Sequence, residues 1–183
     1  MIVGDGWLDE VNRVESPNFD TRPPRSSIEL IVVHNISLPP GCYGGGHIAQ
    51  LFTNRLDPSL DEYFAQIAGL RVSAHVLIDR NGKVTQFVSF NHRAWHAGVS
   101  AWCRRDACND FSVGIELEGT DSEAFTDLQY RSLNAVIGAL LAAYPITAVV
   151  GHSDIAPDRK TDPGPYFDWR RVQVPPSVSV PAP

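Results

Sequence analysis

Cysteine is scarce in this sequence: 183 residues carry three, Cys42, Cys103 and Cys108. Three thiols cannot all pair within one chain, which excludes a dense disulfide framework and leads to the expectation of reduced cysteines in a cytosolic protein. Positive charge is also in the minority, with 15 Lys and Arg against 21 Asp and Glu and a net charge of −6. That balance lacks the basic footprint of a nonspecific nucleic-acid or anionic-membrane binder. No apolar run reaches the ~20 residues that a membrane-spanning helix needs. Residues 1–10 contain neither a basic segment nor an apolar core of the secretory type, so a cytoplasmic location is expected. The sequence has no Gly-x-Ser-x-Gly elbow, and its glycine cluster at residues 41–46 lacks the Gly-Lys-Ser/Thr of a phosphate loop.

What is present describes a globular domain. Hydrophobic residues make up 43% and charged residues 20% of the chain, a composition that a disordered or collagen-like protein does not have. The length fits one domain large enough to be stable without disulfides or a structural metal. Residues 28–34 are β-branched and apolar on both faces, as in a central strand covered on both sides. A helix over residues 47–56 would be stopped by Asp57-Pro58. Residues 73–79 and 84–90 flank Asn81-Gly82, a hairpin signal whose tight form places both turn residues at positive φ. Residues 91–110 form a long expected loop rich in Trp, His and Arg, and loops of that length are usually functional or disordered. Residues 111–118 alternate, with Phe111, Val113, Ile115 and Leu117 on one face and Ser112, Gly114, Glu116 and Glu118 on the other. Thr126 and Gln129 have the capping-box spacing and open a helix with apolar residues at the 3.6-residue period, ending before Pro145. Residues 147–152 form another short apolar strand. The Pro-, Ser- and Val-rich end is expected to fray. Strands and helices mixed with a hairpin point to an α/β sheet with helices packed on it, with residues 1–170 as the domain and 171–183 as a flexible tail.

Two histidines, His34 and His152, each close an apolar strand. Parallel strands would bring both imidazoles to one carboxyl edge, where α/β sheets place their sites. Asp162 follows ten residues after His152. Two His and one carboxylate leave a tetrahedral position open, the pattern of a catalytic zinc site, but the spacing alone equally allows hydrogen-bonded structural histidines. Glu116 could poise a metal-bound water, or could be a solvated residue on a half-exposed strand. Cys108 with His96 offers a cysteine-nucleophile alternative, against the ordinary role of cysteine as a small buried hydrophobe.

The motifs themselves settle more. Val33-His-Asn-Ile-Ser-Leu-Pro-Pro-Gly41, Arg71-Val-Ser-Ala-His75, Arg93-Ala-Trp-His-Ala-Gly98, Cys108-Asn-Asp-Phe111, Gly114-Ile-Glu-Leu-Glu-Gly-Thr-Asp121, Gly151-His152 and Arg159-Lys-Thr-Asp-Pro-Gly164 closely resemble the AmpD-type 1,6-anhydro-N-acetylmuramoyl-L-alanine amidases. These belong to the wider zinc amidase family that includes phage amidase lysozymes and peptidoglycan-recognition proteins. The resemblance extends from about Trp7 to Trp169. It implies a mixed α/β fold, a central mixed β-sheet flanked by α-helices, and one zinc ion per chain, held by residues matching His34, His152 and Asp162, with Glu116 as the catalytic carboxylate and Lys160 as an electrophilic lysine. It further implies hydrolysis of the amide between the lactyl group of 1,6-anhydro-N-acetylmuramic acid and L-alanine, in cytosolic peptidoglycan recycling. Asn35 and Arg71 resemble peptide-groove residues, and Trp95 could supply a plate for a sugar face. Several relatives carry Arg just before Cys-Asn-Asp-Phe, where this chain has Ala107, so Arg71, Arg104 and Arg105 all stand as candidates to hold the stem carboxylates. His47, His75 and His92 are assigned to structure or surface.

The expected partners are small anhydromuropeptides, with no nucleic acid and no membrane, and the expected state is a monomer. Two other readings compete: a non-catalytic peptidoglycan-binding module, and a cell-wall amidase acting on polymeric peptidoglycan. The first would be expected to lose a metal ligand, and the second needs an export signal.

Overall fold

The computed structural model describes residues 1–182. Six strands build the main sheet: β1 (Asn12–Arg13), β2 (Leu30–Ile36), β3 (Val76–Ile78), β4 (Val84–Gln86), β5 (Ser112–Glu118) and β6 (Ala148–Gly151), in the order β6-β2-β5-β3-β4-β1. β6, β2, β5 and β3 run parallel, β4 is antiparallel to β3, and β1 is parallel to β4. The sheet is therefore mixed, and its helices are α1 (His47–Phe52), α2 (Glu62–Ile67), α3 (Asp127–Ala143) and α4 (His152–Ile155). Among the described residues no helix is long and apolar enough to cross a membrane.

The alternation of β5 divides the interior. Val113, Ile115 and Leu117 pack with Ile31 and Val33 against Leu133, Val136, Ile137 and Leu140 of α3. That helix begins at the expected capping box, with Thr126 accepting from the Gln129 N–H and the Gln129 side chain accepting from the Thr126 N–H. Under the other end of the sheet, α1 and α2 supply Phe52 and Phe64 to a second cluster with Phe87 and Val88. Leu30, Val32 and Val150 project into a third cluster with Cys108, Phe111 and Ile155. Phe111 thus departs from the side expected for it, because β5 begins only at Ser112 and Phe111 ends a 3-10 turn.

Other departures have local causes. α1 stops at Phe52, since Asn54 adopts a left-handed φ of 58°. α2 carried no strong periodic signal over its 6 residues, although Asp61 caps it through the Tyr63 N–H. The β3–β4 hairpin forms, but its turn closes from the Gly82 N–H to the Asp79 carbonyl and only Gly82 takes a positive φ there. Asp79 Oδ1 accepts from the N–H groups of both Asn81 and Lys83, so a four-residue turn replaces the two-residue form with two positive φ values. Residues 91–110 contain His92–Ala94, paired with Phe19–Thr21, and a small hairpin of Ala101–Trp102 with Arg105–Asp106. The expected fraying does not extend over residues 172–179: Val172 and Val178 are buried, and Ser179 exchanges backbone hydrogen bonds with Thr147 and Val149. The open edge of β6 offers unpaired backbone groups, and the Pro-rich segment satisfies them.

Candidate metal centre and cleft

Strand register brings the chemistry together. His34 on β2 lies directly opposite Glu116 on β5, and Gly151 of β6 lies opposite Val33, so His152 follows one residue beyond at the same carboxyl edge. The parallel pairing on which the sequence reading made the juxtaposition conditional is present, and it brings the two histidines together. Asp162 arrives by a loop whose carbonyl accepts from the Ser153 N–H. The loop packs so closely that a Cβ on Gly151 would lie 2.7 Å from Pro163 Cδ. Glycine at 151 lets the carboxylate-bearing segment reach the strand end.

His34 Nδ1 lies 3.0 Å from His152 Nδ1 and 3.0 Å from Asp162 Oδ2, and His152 Nδ1 lies 3.1 Å from the same oxygen. The other nitrogen of His152 sits 3.1 Å from the Ala97 carbonyl, which can only accept. A neutral His152 donating there presents a bare Nδ1 toward the carboxylate and the second imidazole. Two nitrogens and one oxygen thus converge at a spacing close to the ~3.3 Å between donors on a tetrahedral zinc with ~2.0–2.1 Å bonds. The residues present fit a zinc ion. Burial, reinforced by the His152 charge, pushes His34 down to about 4 despite its bond to Asp162, which keeps the imidazole neutral and available as a ligand. Asp162 is held well below the usual carboxylate range: burial opposes ionisation, but the imidazoles of His152 and His34 set against its Oδ2 outweigh it.

Glu116 is 9% exposed, and its Oε2 has no hydrogen-bond partner among the described residues. Burial raises its pKa well above the ordinary value, the Asp162 charge adds to the rise, and Lys160 opposes it. A solvated strand residue would show none of this. The carboxyl group instead lies buried in the cleft wall beside the cluster.

One cleft of about 620 Å³ is lined by eight of the residues singled out from the sequence: His34, Asn35, Arg71, Trp95, Glu116, His152, Lys160 and Asp162. Their surroundings differ. Asn35 spends both amide protons on Asp121 Oδ1 (2.6 Å) and the Pro163 carbonyl (3.1 Å). Arg71 is exposed, and among the described residues its Nη1 donates only to the Leu70 carbonyl. The Trp95 indole N–H has no partner among the described residues. Arg104 and Arg105 do not line the cleft, and Arg105 is engaged with Glu29 and the Phe111 ring.

Sequence reasoning missed one residue of this cleft and gave another the wrong partner. Arg159 reaches across it to the carbonyls of Ala97 and Val99 at 2.7 and 2.8 Å; its position beside Lys160 was the available signal. His96 stands against His34 at 2.9 Å. Cys108, its imagined partner, is fully buried with a thiol pushed up by that burial, so the cysteine-nucleophile alternative fails. His75 is buried and accepts from the Gly114 N–H through Nδ1, a structural role as expected.

Comparison with known proteins gives the same direction. Residues 24–165 match the family described as N-acetylmuramoyl-L-alanine amidase. The 1,6-anhydro-N-acetylmuramyl-L-alanine amidase AmpD of Citrobacter freundii is 57% identical over 175 residues, 94% of each chain. A crystal structure of a selenomethionine AmpD derivative superimposes with a TM-score of 0.91 at 56% identity, covering 94% of this chain and 97% of that one. The Escherichia coli amidase AmiD, in complex with anhydro-N-acetylmuramic acid-L-Ala-D-gamma-Glu-L-Lys, gives a TM-score of 0.57 at 29% identity, over 93% of this chain and 63% of its own.

Proposed function

The chain belongs to the N-acetylmuramoyl-L-alanine amidase family, and from that premise we propose that it hydrolyses the amide joining the lactyl group of 1,6-anhydro-N-acetylmuramic acid to L-alanine. The substrate is a small muropeptide, and the setting is peptidoglycan recycling in the cytoplasm. The observation that carries the reading is the convergence of His34, His152 and Asp162 beside a buried, unpaired Glu116.

His34, His152 and Asp162 would hold one zinc ion per chain. Zinc bound there would supply a Lewis acid and a water whose pKa falls toward ~7. Glu116 takes the proton of the attacking water and delivers it to the L-alanine nitrogen as the C–N bond breaks, leaving a lactyl carboxylate and a free amine. Its raised pKa suits both halves of that transfer. The Lys160 ammonium, on the cleft wall, stabilises the oxyanion that develops at the lactyl carbonyl. Arg71 at the exposed rim pairs with stem-peptide carboxylates, the Asn35 oxygen accepts from the stem backbone, and Trp95 offers an apolar plate to the sugar. All of these residues come from one chain, so a monomer suffices.

A non-catalytic binding module would have no use for a proton-exchanging group such as Glu116 beside a complete donor set. Mass spectrometry of an anhydromuropeptide and of intact peptidoglycan, each incubated with zinc-loaded protein, tests the proposal. Release of stem peptide from the small substrate is expected. Binding without cleavage would revive the module, and preference for the polymer would revive the cell-wall enzyme.

A further inference from the structure

The cluster has an outer layer that the reaction scheme does not use. His34 points Nδ1 at Asp162 and His152, while its Nε2 lies 2.9 Å from His96 Nδ1. The far nitrogen of His96 lies 3.2 Å from Ser112 Oγ, and Ser112 is fully buried. The two imidazoles meet edge to face at 80°, with ring centroids 5.0 Å apart. Room is cleared for the His96 ring, since a Cβ built on Gly114 of β5 would lie 2.6 Å from His96 Nδ1. The backbone of the same segment is fixed as well: Asn109 Oδ1 accepts from the N–H groups of both His96 and Ala97.

We propose that His96 is a positioning residue for the metal centre: its Nδ1 accepts the Nε2–H of His34, so that His34 turns a bare Nδ1 to the zinc, and Ser112 Oγ accepts the His96 Nε2–H. The reasoning is one of donors and acceptors. A ring nitrogen that binds a metal carries no proton, so a neutral imidazole must carry it on the other nitrogen, and that N–H needs an acceptor. For His152 the acceptor is the Ala97 carbonyl at 3.1 Å. For His34 it is the side chain of the preceding residue. His96 and Ala97 thus take the outer nitrogens of both ligand imidazoles from one rigid dipeptide, one through a side chain and one through a carbonyl. Such outer partners set ligand orientation and tautomer, and losing one typically weakens metal binding by about 10- to 100-fold. Gly114 acquires a matching explanation, because any side chain there would drive His96 off His34.

The inference rests on reading His34, His152 and Asp162 as zinc ligands, and the test separates the two. Zinc affinity is measured by chelator competition for wild type, His96→Ala, His96→Asn and Gly114→Ala, with nitrogen chemical shifts of labelled zinc-bound wild type reporting the His34 tautomer. Asparagine places an acceptor oxygen near the position of His Nδ1. Expected are a His34 proton on Nε2, about 10- to 100-fold weaker zinc binding in His96→Ala and Gly114→Ala, and recovery to within about threefold in His96→Asn. The tautomer measurement uses unmodified protein and is decisive even if a variant fails to fold. A His34 proton on Nδ1 in the zinc form, or folded His96→Ala with wild-type affinity, or no recovery in folded His96→Asn, overturns the assignment of His96. Wild type that binds no zinc overturns the ligand set itself.

Discussion

Acid should destabilise the metal-free fold by an amount set largely by one imidazole. His34 is 1% exposed, and burial together with the His152 charge brings it from 6.5 down to about 4, with Asp162 pulling the other way. Between those values the unfolded chain takes up a proton that the folded chain refuses. Stability is therefore complete above the unfolded value and is lost as the pH falls through the window. A step from about pH 7.5 to about pH 5 removes ~2 kcal/mol through this group alone. Asp162 acts in the same sense, because its lowered value gives stability that is present above the ordinary carboxylate range and lost below it. Urea unfolding of metal-free wild type and His34→Gln at both pH values isolates the effect, since the many remaining carboxylates are common to both proteins. Wild type should lose ~2 kcal/mol more than the variant over that step. Equal losses would refute the assignment of a buried, neutral His34.

Two further expectations follow from the cleft. Lys160→Ala should lower kcat by ~10²–10³ and leave zinc content unchanged, the loss typical of one oxyanion donor; kinetics and metal analysis read it directly, and an unchanged kcat would remove Lys160 from the reaction. Joint replacement of Cys42 and Cys103 by Ser and of Cys108 by Ala should keep turnover within about an order of magnitude, because no disulfide is involved and the buried thiol touches no reacting atom. Loss of turnover with zinc and fold intact would bring back a cysteine nucleophile.

The core strands and α3 were legible because their signals are long and redundant. β2 reads as apolar on both faces, β5 alternates over its length, and Thr126 with Gln129 marks where α3 begins. Short elements held by tertiary contact were not: α2 is 6 residues long, and residues 172–179 are ordered by the open edge of β6 rather than by their own composition. At the site, strand-end placement announced His34 and His152, the residues following His152 offered Asp162 as a third ligand candidate, and motif resemblance supplied Lys160. Glu116 alternates with Ile115 and Leu117, which makes it look solvent-facing until the cleft wall closes over its carboxyl group. His96 was attached to the wrong partner, since sequence proximity suggested Cys108 whereas the fold lays it against His34 on a strand 62 residues away.

The central claim is that zinc holding and proton transfer belong to different residues of one cluster, and the zinc content and kcat of Glu116→Ala and His152→Ala, measured side by side on an anhydromuropeptide, test it most directly. Glu116→Ala should retain one zinc per chain and lose at least the ~10² in kcat that a positioned acid–base group provides, whereas His152→Ala should lose both metal and turnover. Near-normal kcat in Glu116→Ala, or zinc retained at full affinity in His152→Ala, would contradict the account.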